Sequence, residues 1–312
     1  MFIVTSKLGP TWEVSMKPLG VIVNPEANRG KAKAVGEKVF DHFAKAGVAV
    51  INLSAGSSAE AKAKANQLVQ SQEISAIIAV GGDGTSQLGA GIAIPNQIPL
   101  GLIPAGSGND QVRQLKIDLK DTEAACENVI ASLGNPRRVD AMKVSLEGQE
   151  LWSLGSISAG FDALCATRAN DLTWPKGPNS YIAAMLLELP RFQSIEYHLD
   201  IDGEKRVVDA MLCGVANVKN FGGGMMISPD SEITDGELEV FILHRVSRSK
   251  LLRIFPTVYK GNHLKYPEVE IFKAKSIRIS NDQFPVTCDG ELVGKAPVAV
   301  EVHPGACQLL SQ

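Results

Sequence analysis

Three short stretches hold the residues whose types and spacing could do chemistry. The sharpest is Gly81-Gly82-Asp83-Gly84-Thr85, which follows the strand-like run Ile74 to Val80 and precedes a helical pattern. Glycines around an acid let a ligand approach the backbone, and the N-terminus of the following helix offers free N–H groups to a phosphate. Asp83 beside a phosphate would hold Mg²⁺ or a nucleotide hydroxyl. Two similar loops follow other strand-like runs: Asn24-Pro25-Glu26-Ala27-Asn28-Arg29-Gly30-Lys31 and Pro104-Ala105-Gly106-Ser107-Gly108-Asn109-Asp110. In a parallel sheet, loops at the C-terminal ends of neighbouring strands converge on one crevice, so the three together point to a nucleotide site.

The familiar nucleotide fingerprints fail. Gly290-Glu-Leu-Val-Gly294-Lys295-Ala296 is one residue short of a P-loop and has Ala where a hydroxyl is needed, and Gly106 to Gln111 lacks the third glycine of a dinucleotide loop.

The elements that must position these loops read as two textures. Up to Asn135-Pro136, short apolar runs alternate with helical patterns, including a helix from Gly30 with Val35, Val39, Phe40 and Phe43 on one face. That is what a parallel sheet covered on both faces requires. Beyond it, period-two alternation dominates (RVDAMKVSL, EYHLDID, EKRVVDAML, KSIRIS, VAVEV), with Asp202-Gly203 as a hairpin turn. Helical patterns interrupt it at 180–189 and 249–259. The expected architecture is an α/β N-terminal nucleotide-binding domain, residues 1–136 with a C-terminal return at 296–312. A mostly antiparallel β second domain, 137–295, completes it, with the active site in the cleft between.

Composition narrows the classes further. The chain has 312 residues, 31 Lys plus Arg against 34 Asp plus Glu, and 45% hydrophobic residues, so a folded core is expected and no nucleic acid partner is implied. Its five cysteines are widely spaced and form no C-x-x-C pair, which disfavours a zinc site or disulfide framework and suits a reducing cytoplasm. No apolar stretch approaches the ~20 residues needed to span a bilayer.

The ordered set NPxxNRGK, GGDGT, PAGSGND, Asn217 with Phe221 to Met225, Pro229, Asp235-Gly236-Glu237-Leu238 and Asp289-Gly290-Glu291 resembles the diacylglycerol kinase catalytic-domain family of lipid kinases, from about Gly20 to Val302. The resemblance implies an NAD kinase/diacylglycerol kinase-like fold and ATP-dependent phosphorylation of a lipid hydroxyl, diacylglycerol foremost, with a sphingoid base as the alternative. Carried over by motif, Asn24, Pro25, Asn28, Arg29 and Gly30, then Gly81 to Thr85 and Gln87, then Gly106, Ser107 and Asn109 would surround ATP. Ser107 stands where the family usually has threonine. Asp289 and Glu291 match the catalytic acidic pair, with Asp83 as a third catalytic carboxylate. Their i, i+2 spacing puts the pair on one face if the segment is extended. The resemblance also implies a structural Mg²⁺ held by the Asp235 side chain and nearby backbone carbonyls, with Glu232 and Glu237 supplying their positions.

NAD kinases share GGDGT, but they also carry an Asn-Glu dipeptide that this chain lacks. A non-catalytic sensor would be expected to have lost the acidic pair, and both acids are present. The expected partner is a lipid at the membrane surface, met through peripheral contact. The basic stretch 240–267 is the candidate docking surface, Trp174 to Pro178 a loop that could touch lipid, and a homodimer stays open. The five histidines and Trp152 read as structural or solvated, with His263 near the cleft.

Overall fold

A computed structural model describes residues 17–28, 30–115, 117–175, 178–191, 193–280 and 284–312. Arg29, and Lys176 and Gly177 of the Trp174 to Pro178 loop, lie outside the described residues.

In the first half, β1 (Leu19–Val23), β3 (Ala76–Gly81) and β4 (Leu100–Pro104) are parallel and buried almost throughout, as continuous apolar runs require. The short β2 (Val50–Asn52) pairs with β1 in parallel, giving the order β2-β1-β3-β4. Helices α1 (Lys31–Lys45), α2 (Ser58–Gln70), α3 (Asp83–Ala93), α4 (Asp110–Gln114) and α5 (Thr122–Ser132) connect these strands and lead into the second half. α1 buries Ala32, Gly36, Val39 and Phe43, the i, i+4, i+7 stripe of a helix lying on a sheet. Ser57 and Asp121 cap α2 and α5 by accepting from Glu60 N and Ala124 N.

The second half contains β5 (Arg137–Leu146), β6 (Gln149–Ser153), β7 (Ser156–Gly160), β8 (Ile195–Ile201), β9 (Glu204–Ala216), β10 (Leu238–His244), β11 (Val269–Ala274), β12 (Ser276–Ser280), β13 (Pro285–Cys288), β14 (Glu291–Lys295) and β15 (Val298–Leu309). Its pairings are antiparallel. Asp202 and Gly203, both at positive φ (51° and 89°), turn β8 into β9. β15 sews the halves together: it runs antiparallel to β5 and β12, and its end joins β4 in parallel, Leu309 opposite Leu100. The two main hydrophobic clusters meet inside these shared strands, one holding Ala141 and Cys307, the other Met142 and Val300.

Three helices belong to the second half: α6 (Phe161–Asp171), α7 (Pro178–Glu188) and α8 (Arg248–Val258). The sequence pattern points to α7 and α8 but not to α6. The start of α6 buries Phe161, Asp162, Ala163, Cys165 and Ala166 almost consecutively, so no amphipathic period is present to read. Buried Glu188 ties α7 to α6, its carboxylate accepting from Arg168 Nε and Arg191 Nη1, both at 2.8 Å.

The seam between the halves is polar. Asp140, 3% exposed, accepts from Gly236 N and Gly305 N, each at 2.7 Å, and its own N–H donates to Ile233 O. Asn217 donates from Nδ2 to Asp140 O and Leu154 O. Asp140→Ala strands two backbone donors and should destabilise the fold by about 3 kcal/mol, read as a lowered denaturation midpoint. A change within 0.5 kcal/mol by that measure would show that the turns hold themselves.

Candidate active site

The three loops do converge. Asn24, Asn28, Gly82, Asp83, Gly84, Thr85, Gly106 and Ser107 line one cleft, with Asp289 and Glu291 on the wall opposite. Pro25 and Gln87 line an adjoining groove that also contains Asn24 and Glu291. Gly30, Gly81 and Asn109 are supports instead. Gly30, left-handed at φ 82°, starts α1, and Gly81 O accepts from Ala105 N and Gly106 N. Asn109 closes its own loop, accepting from Gly106 N at 3.0 Å and donating to Gly106 O at 2.9 Å.

Close backbone approach sets the shape of this cradle. A Cβ on Gly106 would lie 2.3 Å from Gly82 Cα, so the second and third loops touch main chain to main chain. The contact places the start of α3, with its unpaired N–H groups, beside the start of α4. It also brings Asp83 and Asp110, the first residues of those helices, side by side.

Asp289 is delivered from the other half by the β13–β14 hairpin. Asp289 and Gly290 are the turn, both at positive φ (53° and 83°), and Glu291 opens the return strand. The acidic pair is therefore not on one face of an extended segment: Asp289 turns inward and Glu291 stays exposed over Gly84. Ser153 Oγ donates to Asp289 Oδ2 at 2.7 Å and Ser156 N to Oδ1 at 3.0 Å. A Cβ at Gly155 would sit 2.0 Å from Oδ1, so this contact also needs a glycine. Gln87 Nε2 reaches Cys288 Sγ at 2.6 Å, a direct tie between α3 and the hairpin.

Burial raises the acids together. Asp83 is pushed up to about 7 by burial and by the Asp110 and Asp289 carboxylates, although Gln111 N donates to its Oδ1 at 3.2 Å. Burial pushes Asp289 up to about 6 against the pull of its Ser153 and Ser156 donors. Asp110 is raised by burial as well, offset by the Gly223 N–H at 2.6 Å and by Arg113. Asp110 and Gln111 are site residues that the sequence reading left unassigned; the signal was there, in an acid directly after the third glycine-rich loop.

A second cavity adjoins the first, sharing Tyr181 of α7 and Phe221, and its lining is dominated by apolar side chains from β9, β10 and α8. Phe221 belongs to the Phe221 to Met225 segment, whose backbone bonds to itself and whose Gly223 holds Asp110. His263, 2% exposed, lies in the apolar wall with Nε2 3.0 Å from Ile227 O. Trp152 packs edge-on against His303 at 5.0 Å. All five cysteines are buried and free.

The expected metal set at 232–237 takes a different form. Asp235 and Glu237 converge on the Lys273 ammonium of β11, Glu237 at 3.2 Å, while Glu232 is exposed apart from them. Among the described residues no group of three acid, histidine or cysteine side chains is placed to hold a metal. In this structure the Lys273 ammonium supplies the positive charge that the two acids require.

A two-part α/β and antiparallel-β body, with glycine loops and carboxyls facing each other beside an apolar cavity, defines a phosphotransferase acting on an apolar acceptor. Residues 18–144 match the diacylglycerol kinase catalytic domain and 155–311 the YegS C-terminal NAD kinase beta sandwich-like domain. The chain is 32% identical over 292 residues to a diacylglycerol kinase of Mycobacterium tuberculosis, covering 93% of each chain. To the diacylglycerol kinase of Bacillus subtilis it is 26% identical over 285 residues, covering 90% of this chain and 92% of that one. A crystal structure of a Bacillus anthracis diacylglycerol kinase shares the fold, with a TM-score of 0.69 at 20% identity over 96% of this chain and 98% of that one. The chain belongs to the diacylglycerol kinase family and is a lipid kinase. As a kinase of this family it uses ATP.

The 235–237 turn generates a test. Lys273→Met leaves two facing acids unpaired at a partly exposed site, so the stability loss should stay within about 1 kcal/mol. The variant's melting temperature should then rise with millimolar Mg²⁺ by more than the wild type's; an equal rise in both would show that removing the lysine opens no metal site at the turn.

Proposed function

We propose that this enzyme transfers the γ-phosphoryl group of Mg²⁺–ATP to the free hydroxyl of diacylglycerol at a membrane surface. The observation that carries the reading is the apolar cavity opening directly beside the carboxyl-lined cleft, past Tyr181 and Phe221. Hydrocarbon chains are driven into such a cavity by the loss of apolar surface from water, and the hydroxyl is left at its polar mouth.

The first-half loops suit the phosphates. Gly82, Gly84 and Ser107 offer main-chain N–H groups and Thr85 and Ser107 hydroxyls, with Asn24 and Asn28 closing the cleft from the first loop. Mg²⁺ suits the crowded acids: Asp83 is raised partly by its acidic neighbours, strain that a cation would relieve, and Asp110 Oδ1 already attracts a cation, the Arg113 Nε at 3.3 Å. Asp83 and Asp110 would hold it, and when bound it neutralises charge on the phosphates.

Asp289 is the general base. A carboxyl near pKa 6 is ionised at neutral pH yet more basic than a solvated aspartate, and Ser153 and Ser156 aim it. It takes the proton from the acceptor hydroxyl as the oxygen attacks. Glu291, exposed at the mouth, orients the acceptor or the cation from outside.

With labelled ATP and lipids in mixed micelles, wild type should phosphorylate diacylglycerol. Asp289→Asn should lower kcat by about 10² to 10⁴ with little change in ATP affinity, and Asp83→Ala should abolish turnover while remaining folded. kcat/KM should rise with pH through about 6. Ser153→Ala should move that limb to higher pH, because the lost hydroxyl donor stabilised the ionised form of Asp289. A limb unmoved in this variant would place the base elsewhere.

The route to the bilayer differs from the expectation for 240–267. There, β10 is core, and Leu251, Ile254 and Phe255 of α8 line the cavity; Lys250 is paired with Glu268, and Arg248 Nη2 donates to Pro190 O at 2.6 Å. Four of the exposed apolar side chains, Trp174 (82%), Leu186 (51%), Leu187 (58%) and Leu252 (42%), lie in or beside α7 and α8, whose inner faces wall the cavity; Val207 and Leu292 are exposed elsewhere. Arg253 of α8 follows Leu252 in the chain, suiting anionic headgroups. Leu186→Ser with Leu187→Ser should weaken sedimentation with anionic vesicles and raise KM for vesicle-borne lipid several-fold. Activity on a short-chain, monomeric diacylglycerol should be unchanged. Wild-type sedimentation by the double variant would remove α7 from the docking surface.

A further inference from the structure

The apolar cavity beside the cleft, about 80 Å³ in volume and open to one side, contains one carboxylic acid in its wall, Asp162. The group is not explained by packing. Asp162 is the second residue of α6 and 5% exposed; Ser158 Oγ donates to its Oδ2, and its Oδ1 is buried without a hydrogen-bond partner. Among the described residues no ion pair includes it. Burial pushes it up to about 7, although the amides of Ala163 and Asp162 itself, at the start of the helix, pull the other way. An unpaired polar oxygen in an apolar wall is destabilising, and a leucine there would remove the penalty, so the acid points to a ligand.

Its place along the cavity says which part of the ligand it meets. Asp162 is close enough to Tyr181 to influence its hydroxyl, and Tyr181 borders both cavities. The Tyr181 ring is held between Phe255, stacked at 6.3 Å, and Phe221, edge-on at 6.4 Å, so this boundary is rigid. An acceptor with its hydroxyl at Asp289 and its hydrocarbon among Leu251, Ile254 and Phe255 passes Asp162 just behind the reacting end. The other polar side chain deep in this wall, His263, already faces the Ile227 carbonyl.

We propose that Asp162 is a specificity-determining residue that hydrogen-bonds an ester carbonyl of a glycerolipid acceptor, so that the enzyme prefers ester-linked over ether-linked or simple long-chain alcohols. This deepens the lipid-kinase reading above and rests on it. In its uncharged form the acid donates its O–H from Oδ1 to the carbonyl, while Oδ2 continues to accept from Ser158. An ether oxygen offers a weaker acceptor and an alkyl chain none. A site built to hydrogen-bond a substrate group discriminates against analogues lacking it far more sharply than an apolar pocket discriminates by size.

The test compares dioleoylglycerol with its dialkyl ether counterpart in the same micelles, for wild type, Asp162→Leu, Asp162→Ala and Asp162→Asn. Wild type should favour the ester by about tenfold or more in kcat/KM. The Leu and Ala variants should bring the ratio near one, with KM for the ester rising more than KM for the ether. The Asn variant, whose amide still donates, should keep most of the preference. The Ala variant serves if the Leu variant does not fold. An ester-to-ether ratio equal in wild type and in the folded Leu or Ala variant overturns the role of Asp162, with the kinase reading intact. A wild type that phosphorylates neither lipid overturns both.

Discussion

The structure is organised around an electrostatically unfavourable contact: Asp83, Asp110 and Asp289 share one buried space. Burial raises all three from the ordinary aspartate value, and Asp83 is raised further by the other two. Like charges drawn together out of water oppose folding, so the surroundings must impose the arrangement. The imposition is covalent and steric. Asp83 and Asp110 each open a helix behind a glycine loop, and the loops are in main-chain contact at Gly82 and Gly106. Asp289 sits in a two-residue hairpin turn pinned by Ser153, Ser156 and the space left at Gly155. The apolar sheets on either side supply the stability that this arrangement consumes.

That dependence explains why the halves are joined as they are. Two acids come from one half and the third from the other, so the cleft requires fixed relative placement. β15, paired with strands of both halves, provides it, and Asp140 and Asn217 lock the turns at the seam. The apolar cavity is built on the second sheet and covered by α7 and α8. Polar transfer chemistry and hydrocarbon binding thus occupy neighbouring rooms with Tyr181 and Phe221 as the shared wall.

Much of this was legible in the chain. The apolar runs of β1, β3 and β4 and the alternation of β8, β9 and β12 carry their own periodicity, and Asp202-Gly203 announces its turn. The glycine loops announced the cleft, since few other roles need three glycines around one acid. The unreadable parts depend on long-range placement. α6 has no stripe because it is buried along much of its first turns. The Asp289-Gly290 turn looked extended because Asp-Gly between alternating residues fits either state, and the hairpin is settled only by pairing with β7. Lys273 lies 38 residues from Asp235, so its capture of that turn has no local signature. In the same way, the basic stretch at 240–267 gave no sign that its apolar members face inward.

If crowding of the three acids is the central constraint, stability must carry its mark as a function of pH. Asp83 titrates near 7 in the folded chain and near 3.8 when solvated, so the folded state retains a proton that the unfolded state has released. Stability contributed by that proton is present at low pH and is lost as pH rises through about 7. The direct measurement is chemical denaturation of wild type and Asp83→Asn from pH 5 to pH 8, without nucleotide or metal. The account predicts that the variant gains on the wild type as pH rises and is the more stable protein at pH 8. Parallel stability curves across that range would contradict it.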